Sequence, residues 1–457
     1  MIQQEKQVFL PKNILEQTIG SCHKCLRPVP AFYYEKNGKM FYWKSHCGEI
    51  LDILVDNDAE LFKKTILKVK RNDRKNIILE EPYPDFWLKI RMSNHLTQIF
   101  VTSHCNMNCP ICYWKYHPTY KNYCPYNLST KQLKEIIKDN PSSIITLTGG
   151  EPTTRKDLPS LIKIIAKHCA ITQIVSNGIK LTDDKYVKTL KKAGLKEAAI
   201  SFDGFRDEMY EIYRGRKLLE TKLKAVEVLS KNDIEVCLMS AIGQKNKNQV
   251  KFIIDFASKQ PHIELILFLA LFEGDEKIKK FTRTDIIKAI EDAYDNFDVE
   301  EYFSEWSRFK INISEAIDNI IGENNITKVI LTPVYPFVKG SLKPLVAVDS
   351  IRRFNNDLEK NKNSKLKTLL TLLKHSWNKP RMISYFISGA FHRKFPKIGH
   401  WMRRRLKIFQ IWIGHICTPN NVDWCRNIIP GDGGPIKEYT MNGNEISIPF
   451  IMGQIPI

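Results

Sequence analysis

The sequence predicts an α/β protein whose centre is a partial (βα)6 TIM-like barrel. Two observations predict this fold class. Six apolar, strand-like segments recur along residues 95–290, and helical patterns separate them, which is typical of a parallel sheet. An unusual motif also follows each of the first four strands, at the edge where parallel barrels carry their chemistry. The prediction divides the chain into three units, residues 1–60, 90–290 and 300–457.

Residues 1–60 are predicted to form a small metal-binding unit. A pair of cysteines is followed by two aromatic segments around an Asn-Gly turn, and then by a third cysteine. This layout is typical of a zinc ribbon or a rubredoxin-like iron site. The alternative is a set of buried, reduced thiols. The candidate zinc or iron ligands are Cys22, Cys25 and Cys47, with His46 or His23 as the fourth.

The barrel elements alternate along the chain. The predicted strands are residues 95–102, 143–152, 171–178, 195–204, 234–242 and 263–272. Helical patterns occupy residues 158–169, 184–194 and 218–232. The last strand contains LILFLALF, the longest apolar run, which is far shorter than the roughly 18 residues of a membrane span. We therefore interpret it as a buried strand.

The formal net charge of the chain is +20, and much of it is concentrated in the C-terminal unit. From Lys360 to Val422 there is no Asp or Glu, whereas there are 14 Lys or Arg residues. The third unit is therefore predicted to be basic and partly helical. The start of the chain lacks the apolar stretch of a signal peptide, so we expect a cytoplasmic protein with reduced thiols. The 11 cysteines then favour metal ligation over disulfides.

Three cysteines follow the first barrel strand. Cys105, Cys109 and Cys112 have the spacing C-x3-C-x2-C. A structural zinc site needs four protein ligands. A four-iron cluster held by only three thiolates leaves one iron open to a small ligand. On the spacing alone, zinc and coincidence remain alternatives.

With the Gly-Gly-Glu-Pro motif one strand later, this spacing resembles the radical S-adenosylmethionine (SAM) superfamily. The resemblance implies that the three cysteines hold a [4Fe-4S] cluster and that SAM chelates its open iron. Reductive cleavage of SAM then yields a 5′-deoxyadenosyl radical, which removes a hydrogen atom from an inert C–H bond. A small electron donor protein, such as a flavodoxin or a ferredoxin, is implied as well.

The same resemblance implies SAM-binding roles at the carboxyl ends of the strands. The glycines are expected to let the backbone approach SAM, the glutamate to pair with its ammonium group, and the arginines to hold its carboxylate. Ile111 occupies a position where the family usually has an aromatic residue beside the adenine, and isoleucine can still cover that ring. The expected SAM-binding residues are Gly149, Gly150, Glu151, Pro152, Ser176, Asn177, Ser201, Asp203, Arg214 and Arg216.

Within the superfamily, residues 15–290 resemble the tetraether lipid synthase branch, whose members are also described as pterin methylases. The order of knuckle, core and basic tail carries this resemblance, together with the segments FDG and RGRKLLETKLKA. It implies C–C coupling of alkyl chains, or methyl transfer, in an enzyme with auxiliary iron–sulfur clusters. The chain departs from the branch at KSHCGE and IPFI, so at least one auxiliary ligand is missing or relocated.

The remaining cysteines fall into two groups. Cys169 and Cys237 lie on apolar faces of a helix and a strand, and we interpret them as structural thiols. The others are candidate ligands of one auxiliary cluster, namely Cys124, Cys417 and Cys425.

The acid-free segment mixes Lys and Arg with Trp, Phe, Tyr and Ile, a composition that suits a surface lying on anionic lipid. We therefore expect a lipid or other apolar substrate, with the protein peripheral at the inner face of the membrane. Nucleic acid is a less favoured partner. A peptide, a small metabolite and an ordinary solvated face are further alternatives. Outside enzymology, the alternative is a metal-binding scaffold with a basic interaction tail.

Overall fold

In the computed structural model, the described residues form sheets of four, nine and two strands. The described ranges are residues 11–21, 28–46, 49–67, 96–112, 127–139, 144–271, 281–321, 334–340, 342–378, 408–415, 437–439 and 445–447. Among them, no helix is both long and apolar enough to span a bilayer.

The first sheet is an antiparallel meander in the N-terminal unit. Its strands are β1 (Ile14–Ser21), β2 (Pro28–Lys36), β3 (Lys39–His46) and β4 (Glu49–Asp56). The predicted Asn-Gly hairpin is confirmed, because Asn37 and Gly38 both have positive φ and join β2 to β3 by a two-residue turn. Tyr33 and Tyr42 point into a small core, where Tyr33 contacts Phe62. Phe62 ends the short helix α1 (Ala59–Phe62), which continues as a π-helical segment over Lys63–Leu67.

The second sheet contains the predicted parallel barrel. Its first six strands lie side by side in chain order, and each pairs in parallel with the next, so the predicted fold class is confirmed. These strands are β5 (Leu96–Thr102), β6 (Ile144–Gly149), β7 (Ile171–Ser176), β8 (Glu197–Ser201), β9 (Glu235–Ile242) and β10 (Ile263–Ala270). The helices between them are α2 (Thr130–Asp139), α3 (Leu158–Ile165), α4 (Asp184–Ala193), α5 (Asp207–Arg214), α6 (Leu219–Lys231) and α7 (Val250–Lys259).

The C-terminal third adds helices and strands to this barrel. The helices are α8 (Arg283–Glu291), α9 (Val299–Ile321), α10 (Val348–Asn361) and α11 (Lys365–Asn378). The strands are β11 (Val334–Val338), β12 (Lys343–Pro344), β13 (Ile408–His415) and a separate antiparallel pair, β14 (Lys437–Tyr439) and β15 (Glu445–Ser447).

β13 is a strand that was not predicted from the sequence. It pairs in parallel with β10 and extends the barrel sheet, and β11 pairs antiparallel with its other edge. Ile411, Trp412 and Ile413 of this strand are buried. Ile408 is buried as well, so these apolar side chains of the acid-free segment lie in the protein core and not on a lipid surface.

One face of the barrel strands carries an apolar row. Ser201, Met239, Leu267 and Trp412 are register partners on β8, β9, β10 and β13, so they lie side by side on the same face. Met239, Leu267 and Trp412 belong to a buried cluster that is separate from the main core. The alternate residues of these strands pack with the helices in the main core. The row therefore lines the inner face of the barrel.

The N-terminal sheet docks on α8 through a buried carboxylate at the end of β4. Asp56 is fully buried, and its Oδ1 accepts hydrogen bonds from the hydroxyls of Thr282 and Thr284. The neighbouring residues add a hydrogen bond from Asn57 to Asp285 and an ion pair between Asp58 and Lys288. The contact therefore holds two distant parts of the chain together by buried polar groups. Burial raises the pKa of Asp56 to about 7, although the two threonine hydroxyls oppose this shift.

Candidate functional site

The three-cysteine loop begins directly after β5, at the carboxyl edge of the barrel. Cys105, Cys109 and Cys112 are all half-buried. The backbone N–H of Met107 donates to Cys105 Sγ at 3.4 Å, and that of Cys112 donates to the Cys109 carbonyl at 3.2 Å. The loop thus folds back on itself and keeps three sulfur ligands within one short segment.

The chemistry of these thiols fits a metal cluster. Burial raises the pKa of Cys105 to about 11, and it also raises the pKa of Cys109. A thiol with a pKa of about 11, such as Cys105, stays protonated at neutral pH unless a positive charge stabilises its thiolate. The irons of a cluster supply that charge, so the donor set suits iron–sulfur ligation better than a free nucleophile.

Two glycines at the end of β6 allow the cysteine loop to pack against the barrel. Gly150 N donates to the Thr102 carbonyl at 2.7 Å, directly before the loop. A Cβ on Gly150 would lie 2.3 Å from the carbonyl oxygen of His104, and a Cβ on Gly149 would lie 2.2 Å from that of Thr102. These glycines were expected to let the backbone approach SAM. Among the described residues, the backbone that these glycines approach closely is the one at the start of the cysteine loop.

Glu151 is a buried clamp between β6 and β7. Its Oε1 accepts hydrogen bonds from Thr153 N, Thr153 Oγ1 and Ser176 Oγ, at 2.6 to 3.1 Å. Its Oε2 accepts from Asn177 N at 2.6 Å. The carboxylate was expected to pair with the SAM ammonium, but both of its oxygens are already hydrogen-bonded within the protein. The buried Pro152 begins the short 3-10 helix that follows.

The end of β7 also contacts the cysteine loop. Asn177 Nδ2 donates to Asn106 Oδ1 at 2.7 Å, and Asn106 lies between two of the cysteines. Ser176 Oγ, which donates to Glu151, also accepts from Gly178 N at 3.0 Å. Ser176 therefore fixes the turn after β7, whereas the partly buried Asn177 links this turn to the loop.

A buried ion pair supports the opposite side of the loop. Arg214 binds Asp203 at two points, through Nε to Oδ2 at 2.6 Å and through Nη2 to Oδ1 at 2.9 Å. Burial raises the pKa of Cys109, and the positive charge of the same guanidinium opposes this shift. Asp203 is fully buried and also accepts from Ala241 N at 2.9 Å. A fixed positive charge is thereby held beside one of the three sulfurs.

Arg216 does not join this network among the described residues. Its side chain is exposed, and it makes no hydrogen bond or ion pair with any residue that the structure describes. Arg216 follows Gly215, which ends α5 in the left-handed conformation and lies beside the cysteine loop, since a Cβ there would be 3.8 Å from the Asn108 carbonyl oxygen.

Lys222 is a residue of the site that was missed in the sequence. It is fully buried on α6, and its Nζ donates to the Asn177 carbonyl and, at 2.8 Å, to Ser201 Oγ. Burial lowers the pKa of Lys222 to about 7, and nearby Arg214 acts in the same direction. The signal was present in the sequence, because Lys222 lies three residues before Ala225 on the apolar stripe of its helix.

The remaining cysteines and histidines comprise two structural thiols and candidate ligands outside the described residues. Cys169 and Cys237 agree with their predicted structural role, since Cys237 lies in the inner apolar cluster and Cys169 Sγ donates to the Ile171 carbonyl at 3.1 Å. His46 ends β3, and its side chain is outside the described part of the structure. The candidate ligands that lie wholly outside the described residues are Cys22, His23, Cys25, Cys47, Cys124, Cys417 and Cys425.

Comparison with known proteins identifies the class of this barrel. Residues 99–257, which contain the cysteine loop and the carboxyl ends just described, match the family description "Radical SAM superfamily". Residues 99–257 are therefore identified as a radical SAM domain. That family implies a [4Fe-4S] cluster at the three cysteines, with SAM as its partner.

Individual relatives narrow the comparison. The chain is 34% identical over 309 residues to 7,8-dihydro-6-hydroxymethylpterin dimethyltransferase of Methanocaldococcus jannaschii, a match that spans 63% of this chain and 60% of that protein. It is 31% identical over 203 residues to GTP 3′,8-cyclase of Clostridium perfringens, spanning 42% of this chain and 61% of the relative. The first match agrees with the pterin-methylase side of the resemblance seen in the sequence.

A solved structure is also similar to part of this chain. Streptococcus suis SuiB bound to S-adenosylmethionine is similar at 15% identity, with a TM-score of 0.36, over 57% of this chain and 66% of that one.

Proposed function

We propose that the protein is a radical SAM enzyme that removes a hydrogen atom from an inert C–H bond in an apolar chain, specifically the alkyl chain of a membrane lipid. When bound at the cysteine loop, the cluster and SAM supply the electron and the 5′-deoxyadenosyl group for this step. Coupling of two chains, or alkylation of one, follows from the same hydrogen abstraction.

The residues of this chain have distinct tasks in that reaction. Cys105, Cys109 and Cys112 hold the cluster. Arg214, oriented by Asp203, would supply a fixed positive charge beside Cys109 that could stabilise the cluster thiolates and the SAM carboxylate. Such a charge, held without reorganisation, is the arrangement that favours anionic groups most strongly.

The turns around the cysteines keep this geometry. The Glu151 clamp ties the ends of β6 and β7 together, and Asn177 links β7 to the cysteine loop. Lys222 joins the Asn177 carbonyl to Ser201 on β8. The ends of three successive strands are therefore fixed to one another around the loop, which limits the motion of a bound cofactor.

The single observation that carries the proposal of an apolar substrate is the inner row of the barrel. The row begins at Ser201, which contacts Lys222, and continues through Met239, Leu267 and Trp412. It therefore runs across the inner face of the sheet, from the residue that contacts Lys222 to β13. An alkyl chain that reached this row would meet the apolar side chains of Met239 and Leu267, although the indole Nε1 of Trp412 would still have no hydrogen-bond partner among the described residues.

A second candidate function is methyl transfer to a small heterocyclic metabolite. The similarity to the pterin dimethyltransferase favours it. The two candidates share the cysteine loop but differ in the molecule from which hydrogen is removed, and methyl transfer also needs a methyl donor, such as a second SAM molecule. The substrate, and not the cluster, must therefore be tested.

Hydrogen transfer from labelled substrates separates the candidates. The protein is reconstituted anaerobically with iron, sulfide, SAM and a reductant, and it is given vesicles of chain-deuterated lipid or a deuterated pterin. If a lipid chain is the substrate, mass spectrometry will find deuterium in 5′-deoxyadenosine only with the lipid. If 5′-deoxyadenosine contains no deuterium with the labelled lipid but contains it with the labelled pterin, the second candidate replaces the first.

Variants test whether the inner row holds the substrate. Met239→Gln keeps the length of the side chain but introduces a polar group, so it should reduce deuterium transfer from the lipid and leave substrate-independent SAM cleavage intact. Ser240→Ala, on the other face of the same strand, is the matched control. Equal effects of the two changes would remove the row from the proposal.

The additional metals remain proposals as well. An N-terminal zinc or iron site and one auxiliary cluster rest on cysteines outside the described residues. Iron and zinc are measured in the reconstituted protein and in a Cys105→Ala/Cys109→Ala/Cys112→Ala variant. Loss of four irons with residual metal would support the extra sites, whereas loss of all metal would contradict them.

A further inference from the structure

Helix α11 carries an apolar stripe on its outer surface. Leu366, Leu369, Leu370 and Leu373 are 66%, 43%, 55% and 56% exposed. Their spacing of i, i+3, i+4 and i+7 puts them on one face of the helix. Isolated exposed leucines are common, but four of them in one continuous stripe mark an interaction surface.

The opposite face of α11 fixes this orientation. Thr368 and Thr371 are buried, and Thr371 Oγ1 accepts a hydrogen bond from Asn361 Nδ2 at 2.9 Å. His375 contacts Asp357 at 2.9 Å. These contacts hold the helix against α10, so the leucine stripe faces away from the body of the protein.

Lysines border the stripe on both sides. With 100° of rotation per residue, the four leucines occupy an arc of about 100°. Lys365 lies beyond one margin of this arc, and Lys367 and Lys374 lie beyond the other. All three lysines are exposed. Lys374 also pairs with Asp357, yet its side chain stays 66% exposed.

We propose that α11 is a docking helix for an anionic membrane surface. Apolar side chains in the centre can enter the boundary between headgroups and acyl chains, while lysines at the margins reach the phosphates. The charge of the surrounding chain is complementary to such a surface, because no acidic residue occurs between Lys360 and Val422. This inference concerns a partner of the protein, and it holds whether or not the substrate is itself a lipid.

Two other occupants fit less well. A second copy related by a twofold axis would bring the lysine margins of both helices together, and like charges would repel. Nucleic acid would be attracted by the lysines, but its phosphates would gain nothing from the leucines. An anionic bilayer satisfies both parts of the surface.

Vesicle flotation tests the proposal with the full chain. Phosphatidylcholine vesicles with and without phosphatidylglycerol are mixed with the protein at two salt concentrations. Leu366→Gln/Leu370→Gln should weaken binding to the vesicles by roughly tenfold or more, because burying even one leucine side chain contributes free energy of that size. Lys365→Gln/Lys367→Gln should weaken it by about fivefold per lysine, only on anionic vesicles.

Matched controls have the same chemistry elsewhere on the surface. Phe252→Gln changes a single apolar residue that is 53% exposed on α7, and Lys131→Gln/Lys134→Gln removes two exposed lysines from α2. Both control variants should float like the unmodified protein. Equal losses in the controls would overturn the assignment to α11.

The other outcomes are equally decisive. If the protein does not float, or binds without regard to charge and salt, the membrane proposal is wrong. If it is a dimer in sedimentation and the leucine variant is a monomer, the stripe is a subunit interface instead. Formation of 5′-deoxyadenosine without vesicles should be unchanged in the leucine variant, so a failure of docking is distinct from a failure of the proposed function.

Discussion

Replacing Asp56 by asparagine tests the buried contact between the N-terminal sheet and α8. The Asp56 carboxyl has a pKa of about 7 in the folded protein, compared with the ordinary value of 3.8, mainly because it is buried. Its Oδ2 has no hydrogen-bond partner among the described residues, whereas Oδ1 accepts from the hydroxyls of Thr282 and Thr284. Asparagine retains the accepting oxygen and removes the charge.

The sign of the effect follows from the two pKa values. The folded protein retains this proton up to about pH 7, whereas the unfolded chain loses it near pH 3.8, so the free energy of unfolding falls as the pH rises through this window. The loss is about 1.4 kcal/mol per pH unit, and about 4 kcal/mol in total as an upper limit. The neutral asparagine does not titrate, so the variant lacks this loss.

Urea unfolding at pH 5.5, 6.5, 7.5 and 8.5 measures the prediction. The stability of Asp56→Asn relative to the unmodified protein should increase by about 2 kcal/mol between pH 5.5 and pH 7, and then stay constant. Asp295→Asn, at an exposed aspartate, is the control and should show no such trend. A difference that is independent of pH, or a variant that is less stable above pH 7, would refute the role assigned to burial.

Two further predictions concern the cluster loop. Gly150→Ala should reduce bound iron and the visible absorbance of the cluster, because the new Cβ would lie 2.3 Å from the carbonyl oxygen of His104. The control is Gly340→Ala, where a Cβ meets nothing within 4 Å, and this variant should retain both the iron and the absorbance. Equal iron content in the two variants would disprove the close packing at Gly150. Arg214→Lys keeps the charge but loses the two-point ion pair, so 5′-deoxyadenosine formation should fall by about 10- to 100-fold. Arg216→Lys is its control in the same assay, and a comparable loss there would contradict the assignment.

Local signals explain what was predicted from the sequence. The six barrel strands are short apolar runs with turn residues at their ends, and both signals lie within each segment. The Asn-Gly hairpin and the cysteine spacing are also local. The loop and the Gly-Gly-Glu-Pro motif were therefore found before any tertiary contact was known, and the structure brings them together at the carboxyl edge.

Non-local contacts explain what was not predicted. Two of the groups that donate to Glu151, Ser176 Oγ and Asn177 N, come from the end of the next strand, so its role as a clamp between strands follows from sheet order and not from its motif. From the sequence alone, Lys222 resembles a surface lysine, because its burial depends on which face of α6 packs against the barrel. β13 follows a long basic segment, and periodicity does not say which sheet a strand joins.

The position of β13 has a consequence for how the chain acquires its structure. β10 ends at Ala270, and the strand that covers its free edge begins only at Ile408. The sheet therefore cannot be completed during synthesis until most of the C-terminal region has left the ribosome. Until then an apolar strand edge stays open to pairing with other chains. Because such distant pairing is slow, completion of the barrel should be the late step of folding, and a chain that stops before Ile408 would present an aggregation-prone edge.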